Sequence, residues 1–152
     1  MITLMLFLHV LGFMLWMGGA MAVMITSVAA RKEERAVLGP LMRLQAAITG
    51  IMVGPGAGVT VVSGLILTFR MFGTAQPAPS GWIMIMQAAG LLAGIITLAF
   101  AIPAAGRLRR MDPLGAQAAT FDALRGRQRV AGSISGVLAL VALIGGVMAR
   151  FG

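Results

Sequence analysis

The sequence predicts an all-α fold, a four-helix transmembrane bundle with a short cytoplasmic helix before the fourth span, and three observations carry that prediction. The chain of 152 residues is 59% hydrophobic and only 11% charged, with a mean hydropathy of +0.98. That is more apolar surface than a soluble domain can bury. Four stretches reach the roughly 20 apolar residues that cross a bilayer core of about 30 Å. Finally, ten of the twelve Lys and Arg residues fall in the first and third connections. One bundle therefore accounts for residues 1–152 as a single integral membrane domain.

The first span is expected over Ile2 to Ala29. It contains an AxA-like stretch, Ala20-Met21-Ala22, but lacks a basic segment ahead of its apolar run, which is also too long for a signal peptide. It is read as a retained helix. The connection that follows carries Arg31, Lys32, Arg35 and Arg43. With Glu33 and Glu34 it reads as a solvated, self-paired turn.

The second span covers residues 44–69, with Pro55 placed to kink or locally unwind it. The next connection, 71–81, gathers Gly73, Thr74, Pro77, Pro79 and Ser80 and reads as an irregular loop. Trp82 then opens the third span, 82–105, at the place of an interfacial anchor. In the third connection Asp112-Pro113 is a good helix start, so a helix is expected from Leu114 to Arg129, running on toward the fourth span, 130–149.

Orientation follows from charge. The basic first and third connections belong in the cytoplasm, which puts Met1, Gly152 and the second connection on the other face of a bacterial inner membrane. The net charge of +8 is explained by arginines flanking the spans and facing anionic headgroups, so the lipid bilayer rather than nucleic acid is the expected partner.

In lipid, helices associate through close contact at small residues. Such residues recur at spacing four as Ala46, Gly50, Gly54 and Gly58, as Gly90 and Gly94, as Gly132 and Gly136, and as Gly18 with Ala22. These stripes are expected to form the helix contacts. They also suit a homodimer or packing against a larger membrane complex.

Chemistry has few candidates. There is no cysteine and no tyrosine, and neither a nucleophile–base pair, a phosphate loop nor a carboxylate dyad is evident. His9 is the one ionisable residue well inside a span, and such residues face the bundle interior or a functional path. At helical spacing it shares a face with Phe13 and Trp16, about 12 Å below the helix start at about 1.5 Å per residue. Three readings stay open. His9 is an axial ligand of haem, or it is hydrogen-bonded to a neighbouring helix through Gln45, Gln87, Thr60 or Ser63, or it serves in a proton relay or in metal binding. With one histidine, a second iron ligand would be a methionine, water, nothing, or His9 of another copy. Met84 and Met86 are the methionine candidates, at the start of the third span and somewhat shallower than His9.

The segments Leu8-His9-Val10-Leu11-Gly12 and Leu15-Trp16-Met17-Gly18-Gly19 carry a resemblance. They resemble the N-terminal helix of several bacterial membrane families: predicted integral membrane proteins of unknown function, the CopD copper-resistance domain, and the HemJ-type protoporphyrinogen oxidases. Gly54, Pro55, Gly64, Trp82 and Pro103 extend the likeness over about the first 110 residues. The resemblance implies a four-helix bundle whose first-helix histidine, here His9, ligates haem b in a redox role. It also shows departures. Met86 stands where the HemJ-type enzymes have a lysine, and 21–29 lacks their arginine and second histidine. The family of unknown function is the nearest in pattern, which leaves open a non-catalytic accessory subunit as the other functional reading.

Overall fold

The computed structural model describes residues 1–72 and 80–151, and every regular element in them is helical. The expected irregular loop at 71–81 falls largely on residues outside that description. Helix α1 is Ile2–Ala29. Helix α2 (Arg35–Ile48) passes through a π-helical turn, Thr49–Val53, into α3 (Gly54–Phe72). The third long helix repeats that device, with α4 (Gly81–Ile96), a π turn at Thr97–Ala101, and α5 (Ile102–Leu108). Helix α6 is unbroken over Ala118–Phe151. Four continuous helices, the longest of 36 residues, are long and apolar enough to cross a membrane.

Both π turns have the same cause. Each precedes a proline by one residue, Pro55 and Pro103, and each begins at a buried threonine, Thr49 and Thr97. Proline has no N–H to give to the preceding turn. The N–H of Gly54 reaches back five residues to the Thr49 carbonyl, and that of Ile102 does the same to Thr97. The unwinding expected at Pro55 takes this form, and the sequence reading missed its twin at Pro103. The two turns lie beside one another, for a Cβ on Gly54 would stand 3.3 Å from Ile102 Cδ1.

The helices form two antiparallel pairs. In the first, α1 lies along α2 and α3, bringing His9 to Ser63, Gly12 to Thr60, Trp16 to Gly56, Gly19 to Val53 and Ser27 to Gln45. Each residue gained on one helix is one lost on the other, so the register holds through the π turn. In the second pair, α6 lies along α4, with Gly146 against Met86, Gly145 against Trp82 and Met86, Gly90 against Ala142, and Thr97 bonded to Ser135. Trp16 joins the pairs. It is buried with Val53 and Ala57 of the first and Ala93 and Ala139 of the second.

Several glycine stripes are not where spacing alone put them. Gly18, Gly50, Gly58, Gly132 and Gly136 have no neighbouring helix within 4 Å of where a Cβ would stand, while Gly12, Gly19, Gly56, Gly64 and Gly145 would meet atoms of another helix at 2.5–3.0 Å. Polar side chains decide the matter, since an unpartnered hydroxyl or imidazole is costly in lipid. Thr60 and Ser63 must face inward, which turns the face of Gly56 and Gly64 inward and that of Gly50 and Gly58 outward. Of the predicted stripes, Gly94 does make a close approach, to Val61.

The basic end is folded rather than merely solvated. Ala30, Leu38, Met42, Leu108 and Phe121 make a second apolar core there. Arg35 reaches across the chain to donate to the Pro113 carbonyl at 2.8 Å and to pair with Asp122, correcting the reading of 31–35 as a self-paired turn. Arg125 donates to the Ala30 carbonyl at 3.1 Å, at the C-terminus of α1 where carbonyls lack helical partners. Helix α6 starts four residues later than Asp112-Pro113 suggested. Asp112 Oδ1 accepts the N–H of Leu114 at 2.9 Å in a tight local turn, and Arg35 holds the Pro113 carbonyl, so 112–117 turns instead of coiling.

Candidate functional site

The site is built around the one histidine. His9 lies in the second turn of α1, on the side that meets α3, and is half-buried. Its seat exists because α3 presents Gly64 there: a Cβ at that position would lie 2.9 Å from the imidazole Cε1 and 3.2 Å from Nδ1. The ring therefore rests edge-on against bare backbone. Nδ1 lies 2.9 Å from the Thr60 carbonyl and 3.3 Å from Ser63 Oγ.

The tautomer follows from these partners. A carbonyl oxygen only accepts, so Nδ1 carries the proton and donates it to Thr60. Ser63 fits the same assignment, because its hydroxyl donates to the Val59 carbonyl at 2.5 Å, leaving Oγ free to accept. In the neutral ring Nε2 then bears the lone pair. Among the described residues Nε2 has no hydrogen-bond partner. This is the arrangement that orients and strengthens a histidine ligand, with one ring nitrogen held by a carbonyl and the other open.

Of the four partners the sequence suggested for His9, the structure selects Thr60 and Ser63. Gln45 instead donates to Ser27 at 3.1 Å, and Gln87 to Thr68 at 3.0 Å, so each amide ties a different pair of helices.

The other candidate residues do not gather around the imidazole. Trp16 is only 3% exposed and fills the centre of the bundle. Phe13 is half-buried and meets the Trp16 ring edge to face, 6.5 Å between centroids. Met84 is exposed at the bundle surface. Met86 points to the other helix pair, where its thioether would touch a Cβ on Gly146 at 3.0 Å. His9 thus sits in the α1–α3 seam and Met86 in the α4–α6 seam. Trp82 is part-exposed at the start of α4, as an interfacial anchor should be.

For haem, His9 Nε2 is the nitrogen that would hold the iron. Of the two methionines suggested by the sequence, Met84 is exposed and Met86 lies against Gly146, so neither stands beside that nitrogen. The space inward of His9 is closed by Gly12, which packs on Thr60 and Gly56, and by Trp16 one turn further. Among the described residues there is no group of three or more His, Cys, Asp or Glu that would hold a metal ion.

The polar groups of the basic end make a separate cluster. Arg125 sits in the polar first turns of α6, ahead of its apolar stretch. Its guanidinium is held below its ordinary pKa by burial and then by Arg129, with Asp122 acting in the opposite sense.

Fold and site define a class: an all-helical bundle of membrane-spanning proportions with one imidazole tying its first two long helices. No family model, curated protein or solved structure matches the chain.

Proposed function

We propose that the protein is a small polytopic membrane protein that binds haem b in a redox role, with His9 as the residue that would hold the iron. The observation that carries the reading is the 2.9 Å bond from Nδ1 to the Thr60 carbonyl, which leaves the Nε2 lone pair without a hydrogen-bond partner among the described residues. The likeness of the Leu8–Gly19 segment to the first helix of the HemJ-type enzymes, whose histidine there ligates haem b, supports it. Bound there, the group would supply one-electron chemistry. The chain's own part is to hold Nε2 in place through Thr60 and Ser63 and to keep bulk water from the ring edge through Gly12 and Gly64. The test is a spectrum. Protein purified from haem-replete cells should show a Soret band that His9→Ala abolishes, and a colourless wild-type protein contradicts the reading.

A second reading is a non-catalytic accessory subunit in a larger membrane complex, or a homodimer. It is favoured by Gly18, Gly50, Gly58, Gly132 and Gly136, whose small faces meet no other helix. Stoichiometric co-purification of a colourless protein with a complex would support it.

The orientation belongs to the same proposal. The basic end faces the cytoplasm of a bacterial inner membrane, with both chain ends opposite. Ser80→Cys should react with an impermeant thiol reagent from outside, and Gln117→Cys only after the membrane is opened; the reverse pattern overturns the assignment. Both positions are exposed.

A further inference from the structure

Helix α6 carries a groove at the basic end that the bundle itself does not fill. It is open, about 500 Å³, and its wall is Gly126, Val130 and Ile134 of α6 with Ile96 of α4. Residues 126, 130 and 134 follow at spacing four and share one helix face. The wall is apolar along its length, Val130 and Ile134 being 61% and 48% exposed. Its polar residues, Asp122 and Arg127, lie toward the N-terminal end of that helix face.

Those two charges are not equivalent. Asp122 is already paired with Arg35. Arg127 is exposed and makes no salt bridge among the described residues. The groove therefore presents one uncommitted guanidinium at its polar end and a hydrocarbon trough leading away along α6. Gly126, next to that guanidinium, has no atom of another helix within 4 Å of where a Cβ would be, so the backbone there is open to approach.

The position of the groove completes the argument. Helix α6 has 34 residues, so at about 1.5 Å per residue it exceeds a bilayer core of about 30 Å by about 20 Å. The apolar stretch starts at Val130, which places Arg127 at headgroup depth and Ile134 among acyl chains. This end of the bundle is basic, with Arg125 and Arg129 on adjoining turns of α6 and Arg107, Arg109 and Arg110 at and just after the end of α5. Guanidinium groups pair bidentately with phosphate.

We infer that this groove holds one anionic phospholipid, its phosphate on Arg127 and one acyl chain along Gly126, Val130, Ile134 and Ile96. A diglyceride bearing a net negative headgroup matches both ends of the site, whereas a zwitterionic lipid adds a cation next to an arginine-rich surface. The site is independent of His9.

The experiment is native mass spectrometry of the full chain in detergent micelles, titrated with dioleoyl phosphatidylglycerol or dioleoyl phosphatidylcholine. Wild type should retain the glycerol lipid about fivefold better, the factor expected from one basic residue near a lipid surface. Arg127→Gln should bring it down to the choline level. Arg129→Gln, next to the groove but not in its wall, should leave retention unchanged. Val130→Trp fills the trough and should lower retention of both lipids. The two groove variants test the site separately, so a failure of either to fold leaves the other decisive. Equal retention of the two lipids by wild type overturns the inference. So does equal loss in Arg127→Gln and Arg129→Gln, which would mean diffuse surface charge, or displacement of the lipid by inorganic phosphate, which would mean that the trough contributes nothing.

Discussion

The two helix pairs solve the same packing problem with different polar ties. In α4–α6 the tie is Thr97 with Ser135, 2.6 Å apart, and Ser135 also donates to the Ala93 carbonyl at 3.1 Å. In α1–α3 it is His9 with Thr60 and Ser63. The hydroxyls of the first tie are fully buried and spend themselves on each other and on backbone. An imidazole has two nitrogens and only one is used. The difference teaches that a histidine in a membrane seam need not choose between structure and chemistry, because the atom that ties the helices is not the atom that would bind a ligand.

The pairs differ also in where their backbones come closest. In α1–α3 it is at the middle, where a Cβ on Gly56 would lie 2.5 Å from the Trp16 nitrogen. In α4–α6 it is near one end, where a Cβ on Gly145 would meet the Met86 nitrogen and the Trp82 carbonyl at 3.0 Å. Backbone atoms cannot swing aside, so a side chain at either place must part the helices.

A graded set of substitutions measures the contrast between the pairs, all read as the shift in unfolding of helicity in mixed micelles. Trp16→Ala should cost most, about 4 kcal/mol, because its ring is the contact shared by both pairs. A loss no larger than that of the part-exposed Trp82→Ala would break the claim that Trp16 couples the pairs. Gly56→Leu should cost about 3 kcal/mol and Gly145→Leu about 2, while Gly136→Leu, in open space, should change little. The opposite ranking of Gly56 and Gly145 would show the second pair to be the tighter. His9→Ala and Ser135→Ala should each cost about 1 kcal/mol, the usual size of an interhelical hydrogen bond in lipid. Near-equal values sharpen the view that the two ties are structural equivalents. Smallest is Arg125→Met, at about 0.5 kcal/mol, for loss of the cation at the α1 C-terminus.

The four long helices were legible because an apolar window of span length has few other uses. So was the concentration of arginine at one end. Which glycines touch was not legible from spacing, since 21 glycines put small stripes on several faces of the same helix. The choice of face came from Thr60, Ser63 and Trp16, whose inward placement a stripe count does not weigh. Arg35 shows a second limit. Its partners Pro113 and Asp122 are 78 and 87 residues away, and nothing local distinguishes it from Arg31. At the candidate site His9 stood out by its rarity, and Thr60 and Ser63 were among its possible partners. Gly64, which makes its seat, carries no local signal of that role, since a glycine in a helix does not show which side chain it admits. The separation of Met84 and Met86 from His9 was hidden, because lying toward the same end of the bundle says nothing about which seam a helix face enters.

His9 ties α1 to α3 through Nδ1–H, and Nε2 is then the ring's lone-pair nitrogen. Since the chain has a single histidine, ¹⁵N-histidine labelling gives one imidazole in solid-state NMR of the protein in lipid. At neutral pH and without added haem, the account predicts a proton coupled to Nδ1 and a bare, deshielded Nε2. A proton on Nε2 with a bare Nδ1 would contradict both the tie and the proposed ligand.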